Sequence, residues 1–547
     1  MNSWFSRKLT ARGEWLALAA ILAVALFLRL RGIAVCLPRI YHPDEPKLVE
    51  VASGLSLGDL NPHFFHYPGG FFYALRLLWA FLGAERDDPA SMVLSGRALV
   101  AVLGALTVLG VWLLGRRVSP GAGLMGATVL ALLPLHVGES RLVTVDVPLT
   151  CAVVFSLYFA GRLAQEGGWR NLVWAALLAG VAAAIKYNGA LALVGVVVGA
   201  LYQPDKRKLP VMLPAAVALA AASYLLLSPY TLLDWRGFWE GITFDRTHMA
   251  TGDLGIPGGN GWLRALEYGL MPAFLWLGLI LAIVGGIRIV KGRLRALLPA
   301  LVFAVVFFAL LGSWKAYYLR YVDPLLPPLA LLIGAGATWL IGARGKGRWR
   351  LANAGLLLVA GGLTLWYGYA AVSAPLPARA ESARWQAEQW LLANAGGAAV
   401  AGDMYTPAQD LIVPNVWVRL RGQRPGYILD PTSAQGRYFL RQWKSFNKAT
   451  GPGDAMPRGK RAELRPFPRT FYILEKQSWP AVAGSGVKYV VVSRELRERA
   501  RTDAARGALY DGIEQNARLV ASFPAGDAWQ VRIFEVAQRP PAAGAER

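Results

Sequence analysis

Apolar positions in this chain come in long runs, with little short-range alternation. Runs of spanning or near-spanning length fall at 15–33, 94–115, 119–137, 143–162, 170–185, 188–203, 209–228, 270–288, 296–312, 321–343 and 351–371. A helix rises about 1.5 Å per residue and needs roughly 20 residues to cross bilayer hydrocarbon, so each run predicts a transmembrane helix. A further run, "GGFFYALRLLWAFLGA" at 69–84, is ambiguous. If it crosses, "GRRVSP" at 115–120 lies outside and the acidic "ERDD" at 85–88 inside, against the tendency of Lys and Arg to stay cytoplasmic. If it lies along the surface or re-enters, the signs agree, and about eleven spans with interfacial helices follow.

Past residue 377 the pattern changes. Short β-like stretches, "FYIL" (471–474), "KYVVVS" (488–493) and "VRIFEV" (531–536), alternate with helical patterning at 381–395 and 493–517. That mixture predicts an α/β domain. The fold class expected is therefore an α-helical polytopic membrane domain over 1–376 and a soluble α/β domain over 377–547. "GPGDAMPRGK" (451–460) reads as an exposed loop and "RPPAAGAER" as a disordered tail.

Composition agrees: 55% of residues are apolar and 17% charged, too oily a balance for a soluble chain of this length. The formal net charge of +23 would suggest a nucleic-acid partner in a soluble protein. Here the loops with Arg116/Arg117, Arg162/Arg170, "DKRK" (205–208), "RIVKGRLR" (288–295) and "RGKGRWR" (344–350) all fall on one side with the N-terminus. The excess is an orientation signal. It places the N-terminus in the cytoplasm, the C-terminal domain outside, and the chain in the plasma (bacterial inner) membrane, with no nucleic-acid role. The first run follows Arg7, Lys8 and Arg12 and is long enough to be a retained signal anchor.

Two cysteines, Cys36 and Cys151, make no disulfide framework. The five histidines, His42, His63, His66, His136 and His248, match no zinc spacing, so a divalent metal is allowed but not called for. There is no P-loop, and no fixed-period repeat of the kind that would favour a transporter of matching halves.

Under this topology the polar segments outside are "YHPDEP" (41–46), "HFFHYPGG" (63–70), "GESRLVTVDVP" (138–148), "KYNG" (186–189), the loop 229–268 and "WKAYYLRY" (314–321). Asp44 either caps a helix starting near Pro46 or is a working carboxylate; a cap leaves Glu45 and His42 unexplained. Asp146 opens a span, where the helix dipole favours it and Arg141 is a candidate counter-ion, yet an ionisable group at a span end is a functional candidate by default. Lys186 and Arg320, with Lys315 beside them, are cations at outer span ends, suited either to snorkelling or to a lipid phosphate. His66 and Tyr67 before Pro68 and two glycines suit a tight turn at a ligand.

Taken together, "YHPDEP", "GDLNPHFFHYPGG", "RLVTVDVPLT", "KYNG" and "RYVDPLLPPLALL" resemble the polyprenyl-phosphate-sugar-dependent glycosyltransferases of the GT-C superfamily, over about residues 14 to 370. The protein O-mannosyltransferases and the lipid A aminoarabinose transferases are nearest in pattern. The resemblance implies inverting transfer of a sugar from a polyprenyl-phosphate carrier to a lipid, glycan or protein acceptor, without a required cofactor. It implies Asp44, with Glu45 beside it, as base or acceptor-orienting group, and Asp146 as the second acidic position. Lys186 and Arg320, with Lys315, Tyr321 and Arg141, would serve the donor phosphate; His66, Tyr67, Tyr187 and Asn188 would line the substrate. The chain departs at His66-Tyr67-Pro68, where the aminoarabinose transferases carry a lysine, and it lacks an inserted β-trefoil. A lipid-linked-sugar flippase, or an oligosaccharide or polymer ligase with a pyrophosphate-linked donor, remains as an alternative.

Overall fold

The computed structural model describes residues 11–35, 44–83, 89–251 and 260–342 and, beyond those, chiefly 383–395, 400–403, 471–473, 478–484, 487–500, 504–523 and 530–537. The chain divides into two compact units. One comprises Met1–Ala34, Lys47–Gly252 and Gly259–Pro375; the other Val35–Pro46, Asp253–Gly258 and Leu376–Arg547.

The first unit is helical and belongs to an integral membrane protein. Its elements begin with α1 (Ala11–Leu30), α2 (Asp44–Gly54), α3 (Gly70–Leu82), α4 (Pro89–Arg116), α5 (Pro120–Leu132), α6 (Pro134–Glu139), α7 (Asp146–Glu166) and α8 (Trp169–Ile185). They continue with α9 (Ala192–Tyr202), α10 (Leu209–Leu227), α11 (Tyr230–Leu233), α12 (Trp235–Thr251), α13 (Gly261–Arg264), α14 (Met271–Lys291), α15 (Leu298–Gly312) and α16 (Leu326–Gly342). Among the described residues, 7 helical stretches are long and apolar enough to cross a membrane, and four shorter apolar helices accompany them. The run expected at 119–137 is broken by Pro134 into α5 and α6. The run at 270–288 belongs to a longer stretch, Gly261–Lys291, with a π-turn at Ala265–Leu270 and a kink at Leu275 (φ 55°). The run at 351–371 lies largely outside the described residues.

Two ends of the bundle are fixed by contacts. Glu14 of α1 accepts from Arg116 of α4 at 2.8 Å, and Arg117 pairs with Glu166 of α7, so these termini share one end. Gln203 packs near Gly167, and Gly161 touches the Ala296 carbonyl, which brings the 203–208 and 288–297 connections there too. The other end gathers the C-termini of α1 and α5, the start of α7 and the end of α8. The first is the basic end; the second holds the site. Helix α3 starts where a methyl on Gly70 would lie 2.7 Å from the Ala184 carbonyl, at the site end. Its Trp79 Nε1 donates to Met92 O at 3.1 Å, three residues into α4. One end of α3 thus lies beside the end of α8 and the other beside the start of α4.

Close helix packing rests on small residues, as it must where lipid supplies no hydrophobic drive between helices. A side chain on Gly285 of α14 would overlap the Leu332 carbonyl of α16, and one on Gly336 would overlap the Leu281 carbonyl.

The second unit carries a sheet of β1 (Val400–Gly402), β2 (Phe471–Ile473), β3 (Tyr489–Ser493), β4 (Arg518–Phe523) and β5 (Val531–Glu535) in the order β2-β1-β3-β5-β4. Strand β1 is parallel to β2 and β3, and β5 is antiparallel to β3 and β4. Side chains alternate across β3: Val490 and Val492 pack with Leu496, Leu509 and Ile513, whereas Tyr489 and Val491 pack with Ala387 and Leu391. Both faces being covered explains why "YVVV" reads as a continuous apolar run. The single helix expected over 493–517 is instead two, Arg494–Ala500 and Ala504–Asn516, and strand β4 begins directly after. The loop at 451–460 and the tail from 539 lie outside the described residues.

Candidate active site

Asp146 is the first residue of α7, where backbone N–H groups and the helix dipole favour a carboxylate. Helix α8 ends at Ile185, and Lys186 turns to extended backbone (φ −151°, ψ 136°) before a 3-10 turn over Tyr187–Leu191. Gly189 makes that reversal fit: a methyl there would overlap the Ala182 carbonyl. Lys186 is thereby aimed at the start of α7, and its Nζ meets Asp146 Oδ1 at 2.6 Å. A third segment, the 3-10 turn Leu319–Leu325 before α16, brings Arg320 Nε to 3.6 Å from Asp146 Oδ2. Asp146 is 1% exposed, and Lys186 9%.

Tyrosines enclose the two cations. Lys186 Nζ stands 4.6 Å from the Tyr321 ring centroid and 6.0 Å from that of Tyr67; Arg320 Cζ stands 4.4 Å from Tyr318 and 5.6 Å from Tyr321. Tyr187 donates to Phe65 O at 2.9 Å, fastening the 64–67 loop to the end of α8. Asn188 Oδ1 is buried with no hydrogen-bond partner among the described residues.

Around this centre the loop 55–69 is tied to α12. Asn61 Nδ2 donates to Asp234 Oδ2 at 2.8 Å, His66 Nδ1 lies 2.7 Å from Asp245 Oδ1, and Gly69 N donates to Ser228 Oγ at 3.0 Å. The backbone N–H of Lys315 donates to Met249 O, and Arg264 donates to Lys315 O at 3.0 Å. Burial raises the pKa of the neighbouring Tyr317 hydroxyl, which keeps it protonated.

Asp146, Lys186, Arg320, Tyr321 and Tyr67 therefore converge, with Tyr187 and Asn188 alongside. Two expected members are used elsewhere. Arg141 does not pair with Asp146; its Nε and Nη2 donate to Leu28 O at 3.1 and 2.7 Å, closing the end of α1. Lys315 is exposed, and its backbone N–H and carbonyl are both bonded. His66 engages Asp245. Asp44 and Glu45 open α2 from the segment that clusters with the second unit; Glu45 is fully buried, Asp44 half-buried, and the Asp44 N–H donates to His42 Nδ1 at 3.3 Å. Among the described residues, no three His, Cys, Asp or Glu side chains are grouped to hold a metal ion.

Sequence reasoning missed the layer beneath. Arg29, fully buried in the last turn of α1, donates to Ala25 O (2.9 Å), Ala131 O (3.2 Å) and Leu130 O (3.3 Å), and its Nη2 lies 2.9 Å from His136 Nδ1. A cation there satisfies carbonyls left open at the end of α5. Asp323 is fully buried within electrostatic reach of Lys186, Arg29, Asp146 and Glu139. Its signal was an ionisable residue at a span entrance, inside "RYVDPLLPPLALL".

Two cations drawn from separate helix ends meet on one carboxylate and are faced by aromatic rings; cations of this kind are the usual partners of phosphate and carboxylate groups. Residues 90–232 match the family described as dolichyl-phosphate-mannose-protein mannosyltransferase. No curated protein matches in sequence. The fold is shared with ArnT from Cupriavidus metallidurans, solved with undecaprenyl phosphate bound, at 16% identity and a TM-score of 0.51, covering 98% of this chain and 100% of that one. It is shared also with the Archaeoglobus fulgidus oligosaccharyltransferase, solved with a tethered acceptor peptide, at 14% identity and a TM-score of 0.50, covering 98% of this chain and 75% of that one. The common architecture is the GT-C fold of polytopic membrane proteins.

Proposed function

We propose that the protein is an inverting glycosyltransferase that moves a sugar from a polyprenyl-phosphate carrier to an acceptor hydroxyl or amine at the outer face of the plasma membrane. The observation that carries this reading is the meeting of Lys186 and Arg320 on Asp146. A phosphate under a membrane-embedded chain needs cations at the depth of a span end, and these two are there. The undecaprenyl phosphate held by the ArnT of shared fold, and the mannosyltransferase match over α4 to α11, support a lipid-phosphate donor.

In this reaction the acceptor X–H attacks the sugar C1 from the side opposite the phosphate. The C1–O(phosphate) bond breaks with its electron pair going to the phosphate, and the proton passes to a carboxylate on the attacking side. As C1 gains oxocarbenium character, negative charge grows on the departing oxygen, where Lys186 and Arg320 stabilise it. Asp146 holds the two cations in register. Asp44, with Glu45 beside it, is the proposed proton acceptor, and His66, Tyr67, Tyr187 and Asn188 face the sugar and acceptor. The basic end is cytoplasmic in this reading.

The test uses full-length protein in proteoliposomes with a panel of polyprenyl-phosphate sugars, and polyprenyl phosphate alone as a binding probe. Lys186→Ala and Arg320→Ala should each weaken carrier binding by roughly tenfold or more, as expected for loss of a charge-assisted contact. Asp44→Asn should abolish transfer while leaving carrier binding intact. Undiminished binding in both cation variants would remove the assignment.

A further inference from the structure

We infer that α12 is an in-plane helix seated in the lipid headgroup layer at the site end of the bundle, and that this seat steadies the 55–69 loop beside the Lys186–Arg320 centre. The inference adds to the transfer reading and does not depend on it.

The attachments of α12 fix its direction. Helix α10 runs from Leu209 at the basic end to Leu227 at the site end, where Thr231 Oγ1 bonds Tyr224 OH at 2.9 Å and Ser228 Oγ at 3.3 Å and sets the turn. Helix α12 starts at Trp235, only a few residues beyond that span end. Near its other end, Met249 O accepts from Lys315 N, just past Gly312, where α15 finishes after starting at the basic end. A 17-residue helix is about 25 Å long, and one tied near both ends to span termini on the same side runs along the membrane surface. Its middle lies on the loop: a methyl at Gly237 or Gly241 would overlap Phe65.

The face turned away from the loop has the chemistry of a lipid contact. At 100° per residue, Trp235, Trp239 and Arg246 fall within about 40° of one another, roughly opposite Gly237 and Gly241. Trp235 is 54% exposed and Trp239 57%, their rings stacked at 5.7 Å, and Arg246 is exposed. Indole and guanidinium each carry an apolar body and a polar tip, the pairing that suits a helix lying at the headgroup boundary. The patch also continues a surface that lipid must cover. Leu232 and Leu233, 59% and 74% exposed, stand in the chain between it and Leu226 on the bare flank of α10, a helix of spanning length whose Val211 and Val217 are exposed as well. Rings laid out to stack a glycan would stand in water; these extend an apolar flank. The opposite face passes the contact on, through Asn61–Asp234, His66–Asp245 and the packing on Phe65, whose carbonyl accepts from Tyr187 next to Lys186.

Nitroxide labels on full-length protein test the seat, in the Cys36→Ser/Cys151→Ser background and in liposomes of phosphatidylethanolamine and phosphatidylglycerol. At Trp239→Cys and Arg246→Cys the label should collide more with oxygen, which concentrates in lipid, than with a water-soluble nickel chelate. At Arg236→Cys and Thr247→Cys, exposed on the flank about 90° round the helix, the ratio should invert. Nickel collisions prevailing at all four positions would put the helix in water, and exclusion of both relaxants at Trp239→Cys and Arg246→Cys would mean that protein covers the face; either result overturns the proposal. For the effect on the loop, Trp235→Ser/Trp239→Ser should speed amide exchange across 55–69 by roughly tenfold or more, with α7 exchanging as in wild type. Trp235→Tyr/Trp239→Tyr, whose rings also suit the headgroup layer, should restore the wild-type rate. Unchanged exchange in the serine variant, or equal loosening in the tyrosine variant, overturns the proposal. Should the double serine variant fail to fold, Trp239→Ser alone is read in the same way. None of these readouts involves transfer or phosphate, so their failure leaves the assignment of Lys186 and Arg320 to its own test.

Discussion

At the scale of single residues, the site is an exercise in charge placement. Lys186 and Asp146 are each almost fully buried and 2.6 Å apart, so removing Lys186 leaves the buried carboxylate with only the longer Arg320 contact at 3.6 Å. Lys186→Met should therefore lower thermal stability clearly, by about 3 kcal/mol or more, whereas Lys186→Met/Asp146→Asn should recover much of that loss. Thermal unfolding of the purified variants checks this, and additive losses would show that the two charges are screened from each other. Asp146, Lys186 and Arg320 were legible because each is an ionisable residue where an apolar run begins or ends. Arg29 was not, lying inside a run, where it reads as a defect until the α5 carbonyls it satisfies are seen. Arg141 misled for a related reason. Proximity in sequence suggested Asp146 as its partner, but its actual partner is a main-chain carbonyl of α1, which no side-chain pattern displays.

At the scale of elements, the loop 55–69 and α12 act as one assembly, joined through Asn61–Asp234 and His66–Asp245. Since His66 and Asp245 use each other, His66→Ala, Asp245→Ala and the double variant should impair transfer to a similar degree, with no added loss in the double. Protease sensitivity around Arg246 should rise equally in all three. Independent, multiplicative effects would mean that the two side chains serve separate tasks. Apolar helices were readable from run length, and charge signs favoured a surface-lying or re-entrant α3. The division of 119–137 at Pro134 was not, because a proline inside an apolar run is compatible with a kink as well as a break. Strand β4 escaped for a different reason. "RLVASF" is exposed or half-exposed along its length, so burial wrote no period into it.

At the scale of the whole molecule, the membrane unit is polar in two distinct ways. One end collects Arg116, Arg117, Arg162, Arg170, Lys206, Arg207, Lys208, Arg288, Lys291 and Arg293, with Glu14, Glu166 and Asp205 as acidic neighbours among the described residues. The other holds both signs: Asp323 and Glu139 lie within electrostatic reach of the Lys186–Arg320–Asp146 centre, and Arg29 and Arg141 close the end of α1 there. Cytoplasmic loops are richer in Lys and Arg, so the basic end should be cytoplasmic and the site should open outward. The prediction can be read with single cysteines. In a background with Cys36 and Cys151 replaced by serine, Arg207→Cys and Lys315→Cys place thiols at exposed positions of opposite ends. A membrane-impermeant maleimide applied to right-side-out vesicles should label Lys315→Cys and spare Arg207→Cys until the membrane is opened. Arg518→Cys, with the wild-type side chain 77% exposed, should label from the same side as Lys315→Cys. The reverse pattern would put the cation pair on the inner leaflet, where a donor made in the cytoplasm is already present and outward transfer would have no role. Lys315→Cys and Arg207→Cys labelling from one side would instead contradict the assignment of the two ends, and with it the charge-sign expectation that α3 lies along the surface or re-enters.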